Sequence, residues 1–309
     1  MNVLVTGGAG FIGSHLVEAL LARGDRVRVL DDLSAGNREA VSDEAELVVG
    51  DLADEETARR AVGAMDAVVH LGAHRSVVRS IDSPLATDRV NVHGTLLLLQ
   101  LSRELGVRRF VAASSSSVYG GAEQLPTPES APSMPRSPYA VSKLAAEHYS
   151  RVFTELFGVE TVNLRYFNVY GPRQSPHSIY APVVPLFIQA MRAGEPCTVH
   201  GDGLQSRDFT YVGDAVAATL GALDAPAERC AGNAYNVAGG QVHTLLDLLR
   251  ILEDVLGVLA KVEHTEPRAG DVRHTSASIE AARQDLGYEP SVSFEDGLRR
   301  AAEWFRLHG

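Results

Sequence analysis

Short apolar runs alternate with longer amphipathic stretches along the first half of the chain. Apolar runs between glycine or polar residues predict buried strands, and apolar positions that recur every three or four residues predict helices. The strand-like runs are residues 2–6, 27–30, 47–49, 68–71, 110–113 and 161–165; the helix-like stretches are residues 11–22, 55–62, 91–105 and 137–156. Strands that alternate with helices imply βαβ units and hence a parallel sheet covered on both faces.

The pattern changes after residue 170, where prolines at positions 172, 176, 182 and 185 interrupt the chain. Helical spacing returns at residues 214–223, 245–256 and 294–305, among short strand-like runs. We therefore predict an α/β fold, a Rossmann-type doubly wound parallel sheet with a smaller α/β C-terminal domain. The expected domains are residues 1–170 and 171–309, with partial interleaving after residue 170.

Composition and charge narrow the class of protein. Of the 309 residues, 45% are hydrophobic and 22% charged, which excludes a disordered chain, a coiled coil or collagen. No apolar run approaches the ~18 residues of a membrane span, and no signal peptide is recognised, so no membrane partner is expected. A net charge of −11 argues against nucleic acid as a partner. Cys197 and Cys230 lie in no metal or disulfide pattern, so we expect buried thiols, no metal and a cytoplasmic location.

A glycine-rich segment follows the first predicted strand and opens the first predicted helix. Gly7, Gly8, Gly10 and Gly13 fit both Gly-x-Gly-x-x-Gly and Gly-x-x-Gly-x-x-Gly. Glycines permit a tight turn and let the backbone approach a pyrophosphate, which the helix N-terminus attracts. A glycine-rich turn without a ligand is the alternative, but the order of strand, glycines, helix, strand and acid favours a dinucleotide site.

Acidic residues end the next two predicted strands. Asp31 lies 18 residues after Gly13, where a carboxylate accepts hydrogen bonds from a ribose. Asp31 and Asp32 would repel a 2′-phosphate, so NAD is favoured over NADP, although Arg38 is nearby. Asp51 either flanks the adenine or caps the following helix.

A tyrosine and a lysine lie four residues apart on one predicted helix, at Tyr139 and Lys143. This spacing puts both side chains on one face, where an ammonium stabilises a tyrosinate that acts as a base. A chance pairing of two surface residues is the alternative. Only Lys143 and Lys261 are lysines among the 28 basic residues, so a lysine at this position is notable. Upstream, the hydroxyls of residues 114–117 follow a strand, either as a polar loop or to bridge a substrate oxygen and Tyr139.

The chain resembles the extended short-chain dehydrogenase/reductase superfamily, specifically its nucleotide-sugar epimerases and dehydratases. The motifs that carry the resemblance span nearly the whole chain and are residues 7–13, Asp31, Asp51-Leu52, residues 70–73, Asn91, residues 114–120, Tyr139 with Lys143, and residues 165–171, 201–211 and 267–274.

The resemblance implies a site for NAD and a C-terminal domain that binds a nucleoside diphosphate sugar. It implies that Tyr139 is the base, Lys143 its electrostatic partner and Ser115 the hydroxyl that shares the substrate proton. The cofactor-binding residues expected are Gly7, Gly10, Phe11, Ile12, Gly13, Asp31, Asp32, Asp51, Leu52, Leu71, Asn91, Tyr139, Lys143 and Tyr166. The substrate-binding residues expected are Ser115, Ser116, Asn168, Arg207, Arg268, Asp271 and Thr275.

Within this family, the residues after Ser115 indicate the reaction. Dehydratases have an Asp-Glu pair there, and decarboxylases tend to have Glu at the second position, whereas this chain has Ser116 and Ser117. Neither cysteine lies near this loop, as 3,5-epimerisation would need. We therefore expect NAD-dependent 4-epimerisation of a UDP-sugar, with UDP-glucose and UDP-galactose as the substrates. UDP-GlcNAc and UDP-GalNAc are expected to be accepted as well, because Thr275 stands where a bulky Tyr restricts the pocket of some 4-epimerases.

Three alternatives stay open. A 4,6-dehydratase or a UDP-glucuronate epimerase or decarboxylase is the alternative within the family, although Asn168 stands where enzymes acting on glucuronate carry Thr. A dehydrogenase that releases NADH and a non-catalytic NAD-binding protein are the others. By analogy with the family, a homodimer is expected through a four-helix bundle formed by residues 91–105 and 137–156.

Overall fold

The computed structural model describes residues 1–176, 182–267 and 272–308. The strands are β1 (Asn2–Thr6), β2 (Arg26–Asp31), β3 (Glu46–Val49), β4 (Ala67–His70), β5 (Arg109–Ser115), β6 (Glu160–Tyr166), β7 (Val169–Tyr170), β8 (Pro196–His200), β9 (Ser206–Asp208), β10 (Thr210–Tyr211), β11 (Asn233–Val237), β12 (Val242–Thr244) and β13 (Lys261–Thr265). The helices are α1 (Phe11–Ala22), α2 (Glu55–Val62), α3 (Val77–Asp82), α4 (Pro84–Asp88), α5 (Gly94–Leu105), α6 (Pro138–Phe157), α7 (Val183–Ala193), α8 (Val212–Asp224), α9 (Ala227–Cys230), α10 (Leu245–Leu256), α11 (Glu280–Leu286) and α12 (Phe294–His308).

The main sheet is parallel throughout and has the strand order β11-β6-β5-β4-β1-β2-β3. Its central strands are apolar and buried because helices cover both faces: α1 and α8 pack on one face, and α2, α5 and α6 on the other. The predicted doubly wound α/β fold is therefore confirmed. The order reverses between β1 and β4, and it is at such a switch point that ligands bind beyond the carboxyl ends of the strands.

Strand β11 is an element that the sequence analysis did not assign. It comes from the second half of the chain and pairs with β6 at the edge of the main sheet. Its polar residues Asn233 and Asn236 interrupt the apolar pattern, and Asn236 is nevertheless fully buried because neighbouring groups satisfy its amide. The chain thus returns to the large sheet after residue 170, and the boundary at that residue stays a prediction.

The single helix expected at residues 91–105 is a second difference. The structure has α4, a π-helical turn at Arg89–His93 and then α5. Asn91 lies in this turn, and its side chain bonds to the backbone of His74 and to Ser142 rather than facing solvent. A π-helical turn of this kind adds a residue to the helical repeat, and periodicity alone does not reveal it.

A smaller unit carries its own apolar core. Helices α7, α10 and α12 pack on one another, and α7 packs on β8, which pairs with the exposed β13. The buried residues of this core include Phe187, Ile188, Leu248 and Leu298. Cys197 is buried in this core and Cys230 beneath the main sheet, both as free thiols, as expected. No helix within the described residues has the length and apolar character needed to cross a membrane.

Candidate active site

The glycine-rich turn joins β1 to α1 and leaves no room for side chains. Gly7 has φ +70, and a Cβ there would lie 2.7 Å from the backbone nitrogen of Gly72. A Cβ on Gly13 would lie 2.1 Å from the carbonyl oxygen of Gly7. Gly10 is the N-cap residue of α1, and no side chain caps this helix. The turn therefore presents close-packed backbone and an uncapped helix N-terminus, which suits a pyrophosphate.

Asp31 lies at the carboxyl end of β2, beside that turn. Its carboxylate accepts hydrogen bonds from the backbone amides of Ala9 at 3.0 Å and Leu33 at 2.9 Å. Burial raises the pKa of Asp31, the two amides oppose this, and the charge of Asp32 adds to it. Each carboxylate oxygen keeps lone-pair capacity for a ribose hydroxyl. The turn and the acid together fit an NAD molecule.

Asp51 does not cap α2, because Asp54 holds that position. Asp51 accepts a hydrogen bond from the amide of Ala53 at 2.8 Å and pairs with Arg89 at 2.7 Å. The capping alternative for Asp51 is therefore wrong. The next residue, Leu52, is buried and packs closely on Gly94. A Cβ on Gly94 would lie 2.1 Å from the Leu52 side chain.

Four other predicted cofactor residues lie on separate elements. Phe11 and Ile12 form the first turn of α1, and Leu71 directly follows β4, with its amide donating to the carbonyl of Thr6. Tyr166 ends β6, and its buried hydroxyl is hydrogen bonded to Thr219 of α8 at 2.7 Å. The Tyr166 hydroxyl is therefore held by protein.

Helix α6 carries Tyr139 and Lys143 one turn apart over the end of β5. Ser137 caps the helix by accepting a hydrogen bond from the amide of Ala140. Lys143 Nζ is buried and donates to the carbonyl oxygen of Ala113 at 2.8 Å. Tyr139 is half-buried and hydrogen bonded to Ser115. The structure thus brings Ser115, Tyr139 and Lys143 together, and Ser116 begins the short 3₁₀ turn Ser116–Tyr119 next to them.

The charges around this group act on both proposed partners. Burial raises the pKa of Tyr139, whereas the hydrogen bond from Ser115 and the charge of Arg75 lower it. Burial lowers the pKa of Lys143 to about 8, and the charge of Glu147 acts in the opposite direction. Sequence reasoning missed Arg75 and Glu147. Arg75 had no detectable signal, but Glu147 lies four residues after Lys143, a spacing that was available to be noticed.

Three predicted substrate residues meet near β9. Asn168 has φ +39, and its amide donates to the carbonyl of Asp208 at 2.9 Å and to Thr275 Oγ1 at 3.4 Å. The Arg207 guanidinium donates to the carbonyls of Ser206 at 2.9 Å and Arg273 at 3.1 Å. The predicted Arg268 and Asp271 lie outside the described residues.

Asp208 is a buried acid that sequence reasoning did not select. Its carboxylate accepts hydrogen bonds from the amides of Gly240 at 3.0 Å and Ala277 at 3.3 Å. Burial raises the pKa of Asp208 to about 6, against those amides. Asp208 thereby joins the strand that carries Arg207 to the segment that carries Thr275.

Comparison with known proteins points to one family and to more than one reaction. Residues 3–238 match the model of a family described as NAD dependent epimerase/dehydratase. A UDP-glucose 4-epimerase of Mycolicibacterium smegmatis is 39% identical over 313 residues, which cover 99% of each chain. A dTDP-glucose 4,6-dehydratase of Streptomyces antibioticus is 36% identical over 317 residues, which cover 99% of this chain and 92% of the other.

A solved structure of an epimerase is similar to this chain over its whole length. The crystal structure of a UDP-glucose 4-epimerase with UDP-glucose from Thermotoga maritima superposes with a TM-score of 0.95 at 37% identity, covering 99% of both chains. Because the epimerase and the dehydratase relatives are similarly identical to this chain, overall similarity does not decide between the two reactions.

The close packing at Gly13 gives a first prediction. In Gly13→Ala, the new Cβ collides with backbone, so we expect unfolding to become easier by about 1–3 kcal/mol and NAD affinity to fall. Gly63→Ala is the matched control, because Gly63 has φ −56 and a Cβ added there would lie 3.4 Å from its nearest neighbouring atom. Denaturant unfolding and calorimetric NAD titration measure both variants. Unchanged stability and NAD affinity in Gly13→Ala would contradict this account of the turn.

Proposed function

The chain belongs to the NAD dependent epimerase/dehydratase family, and from this premise we propose that it inverts the configuration at C4 of a UDP-sugar. One observation carries the proposal. Tyr139, Lys143 and Ser115 converge at the end of β5, and the two residues that follow Ser115 have no carboxyl group. At these two positions the site carries hydroxyl groups, where elimination would need an additional acid.

The family description agrees with the expected NAD cofactor. Bound NAD supplies a hydride acceptor and donor, so that oxidation at C4 and reduction from the other face leave it unchanged overall. When NAD is bound, the glycine-rich turn would hold its pyrophosphate and Asp31 would hold its ribose. Asp31 and Asp32 at the end of β2 disfavour a 2′-phosphate, and Arg38 is exposed on the following turn.

The protein side chains move the proton. Tyr139 as the phenolate accepts the proton of the 4-hydroxyl, and Ser115 donates a hydrogen bond to the Tyr139 oxygen that stabilises the phenolate. Arg75 favours the phenolate against burial. Lys143 keeps a compact positive charge over the carbonyl end of β5. Tyr139 returns the proton to the product alcohol when the 4-keto sugar is reduced.

The substrate is anchored through its nucleotide. We propose that Arg207 and Arg268 bind the diphosphate and that Asp271 accepts the ribose hydroxyls. Asn168 and Thr275, which contact each other, line the sugar end of the site. Anchoring at the diphosphate leaves the 4-keto sugar free to turn, so that each face is presented in succession.

A dehydratase is the second candidate, because a relative with that activity is 36% identical. Water elimination needs acid and base groups beyond the tyrosine. Ser116 and Ser117 are half-buried hydroxyls in the 3₁₀ turn, and Ser117 donates to Ser115 Oγ at 3.0 Å. A serine hydroxyl does not titrate near neutral pH, so this loop favours epimerisation over elimination.

The cytoplasmic location and the homodimer stay predictions. Helix α6 leaves Val141, Val152 and Leu156 exposed on its outer side, where the predicted four-helix contact would cover them.

Tyr139→Phe tests the base. We expect kcat to fall about 10²–10⁴-fold while the affinity for UDP-sugar stays within twofold of the wild-type value, because the phenol acts in the transition state. Steady-state kinetics and calorimetric titration measure the two effects. Tyr149→Phe on the exposed side of the same helix is the control and should behave as wild type. Full activity in Tyr139→Phe would contradict the role of Tyr139 as the base.

The serines after Ser115 predict the products. With UDP-glucose or dTDP-glucose, no 4-keto-6-deoxy sugar should accumulate, because neither Ser116 nor Ser117 carries an acid. Mass spectrometry detects the loss of one water from the substrate. If that product forms at the rate of turnover, the chain is a dehydratase.

Thr275 predicts tolerance at C2 of the sugar. A half-buried threonine leaves space for an N-acetyl group, so UDP-glucose and UDP-N-acetylglucosamine should both be substrates. In Thr275→Tyr, kcat/KM for the acetylated sugar should fall about 10-fold or more, with UDP-galactose spared. Thr275→Ser, which stays small, is the control. Equal losses for both sugars would show that residue 275 does not set this specificity.

A further inference from the structure

A buried acid lies on the same face of α6 as the proposed catalytic pair. Tyr139, Lys143 and Glu147 follow one another at intervals of four residues. Ser114 donates a hydrogen bond to Glu147, and Lys143 donates to the carbonyl of the preceding residue, Ala113. Three successive turns of the helix are therefore attached to three successive residues of β5, ending with the contact between Tyr139 and Ser115.

Arg165 of β6 holds Glu147 through two hydrogen bonds. Nε donates to Oε1 at 2.9 Å and Nη2 donates to Oε2 at 2.7 Å, the paired geometry in which guanidinium and carboxylate bind most strongly. Both side chains are more than nine-tenths buried. Arg165 Nη1 also donates to Tyr119 at 2.7 Å and to the carbonyl of Glu129 at 3.0 Å. The ion pair is therefore fixed in place from both sides.

The charge balance in this interior depends on Glu147. Lys143 and Arg165 are two buried cations, and Glu147 is the anion that links them along the helix and the sheet. His70 on β4 supplies no negative charge, because burial and the charge of Lys143 lower its pKa to about 3 and leave it neutral. Tyr139 carries a negative charge only as the phenolate, a form that burial disfavours by raising its pKa.

We propose that Glu147 is a positioning residue whose carboxylate, held by Arg165, keeps the Lys143 ammonium protonated within the active site. The inference deepens the proposed function, since it rests on the role given there to Lys143. Its physical basis is that a buried ammonium loses its proton readily unless an anion is near. Burial already lowers the pKa of Lys143 to about 8, and Glu147 opposes that effect.

The two lysines of the chain make a direct test possible. Protein labelled with ¹³C at lysine Cε gives two side-chain resonances, and Lys261→Arg assigns them. The chemical shift of Lys143 against pH reports its protonation without any turnover. We expect a midpoint near pH 8 in the wild type and a midpoint at least about one pH unit lower in Glu147→Gln. The decline of kcat at alkaline pH should move down with it, because the ammonium is lost as pH rises through its pKa.

Two variants separate charge from structure. Ser114→Ala removes a hydrogen bond to Glu147 but keeps the carboxylate, so the Lys143 midpoint should stay within about 0.3 pH units of the wild type. Glu147→Gln combined with Arg165→Met removes both members of the ion pair, and the midpoint should return toward the wild-type value. Where that double variant does not fold, Glu147→Asp decides the same question, since it keeps the charge and should titrate nearer the wild type than Glu147→Gln.

A Lys143 midpoint that is unchanged in folded Glu147→Gln overturns the inference. So does a lowered midpoint that neither the double variant nor Glu147→Asp restores, because the effect would then come from packing. If the wild type shows no epimerase activity while the titrations follow the expected order, the proposed function fails and the role of Glu147 stands.

Discussion

A buried ammonium group lies where α6 crosses the carboxyl end of β5, and much of the structure around it serves to keep that group charged. Lys143 donates to the carbonyl of Ala113, and its pKa of about 8 leaves little margin above neutral pH. A buried cation needs a nearby anion, and a buried anion in turn needs hydrogen-bond donors. Glu147 supplies the first requirement, and Arg165 with Ser114 supplies the second.

The same requirement connects the two halves of the chain. Arg165 donates to the Tyr119 hydroxyl, which donates to Asn236 on β11 at 2.7 Å. The amide of Asn236 continues to the carbonyls of Thr127 and Ser278. Strand β11 is therefore tied to the main sheet by more than backbone pairing, since Asn236 ends a hydrogen-bond network that begins at Glu147 and runs through Arg165 and Tyr119.

Features set by local spacing could be predicted from the sequence. The glycine turn, Asp31 after β2 and the pair Tyr139–Lys143 each depend on residues a few positions apart or on one βαβ unit, and the structure brings them together. Features that depend on distant partners could not. The pairing of Glu147 with Arg165, the edge position of β11 and the π-helical turn at Asn91 follow from contacts with segments that no local pattern identifies. Arg75 was missed because an exposed arginine in a loop has no periodicity.

In the proposed mechanism, a single base and a cofactor that never leaves the site invert one carbon of the sugar. UDP-glucose carrying deuterium at C4, incubated with the purified protein without added NAD, tests it most directly. The account predicts an equilibrium mixture of UDP-glucose and UDP-galactose in which the deuterium stays at C4, as read by NMR. Loss of the label to solvent, release of reduced cofactor in proportion to product, or a product altered at another carbon would contradict it.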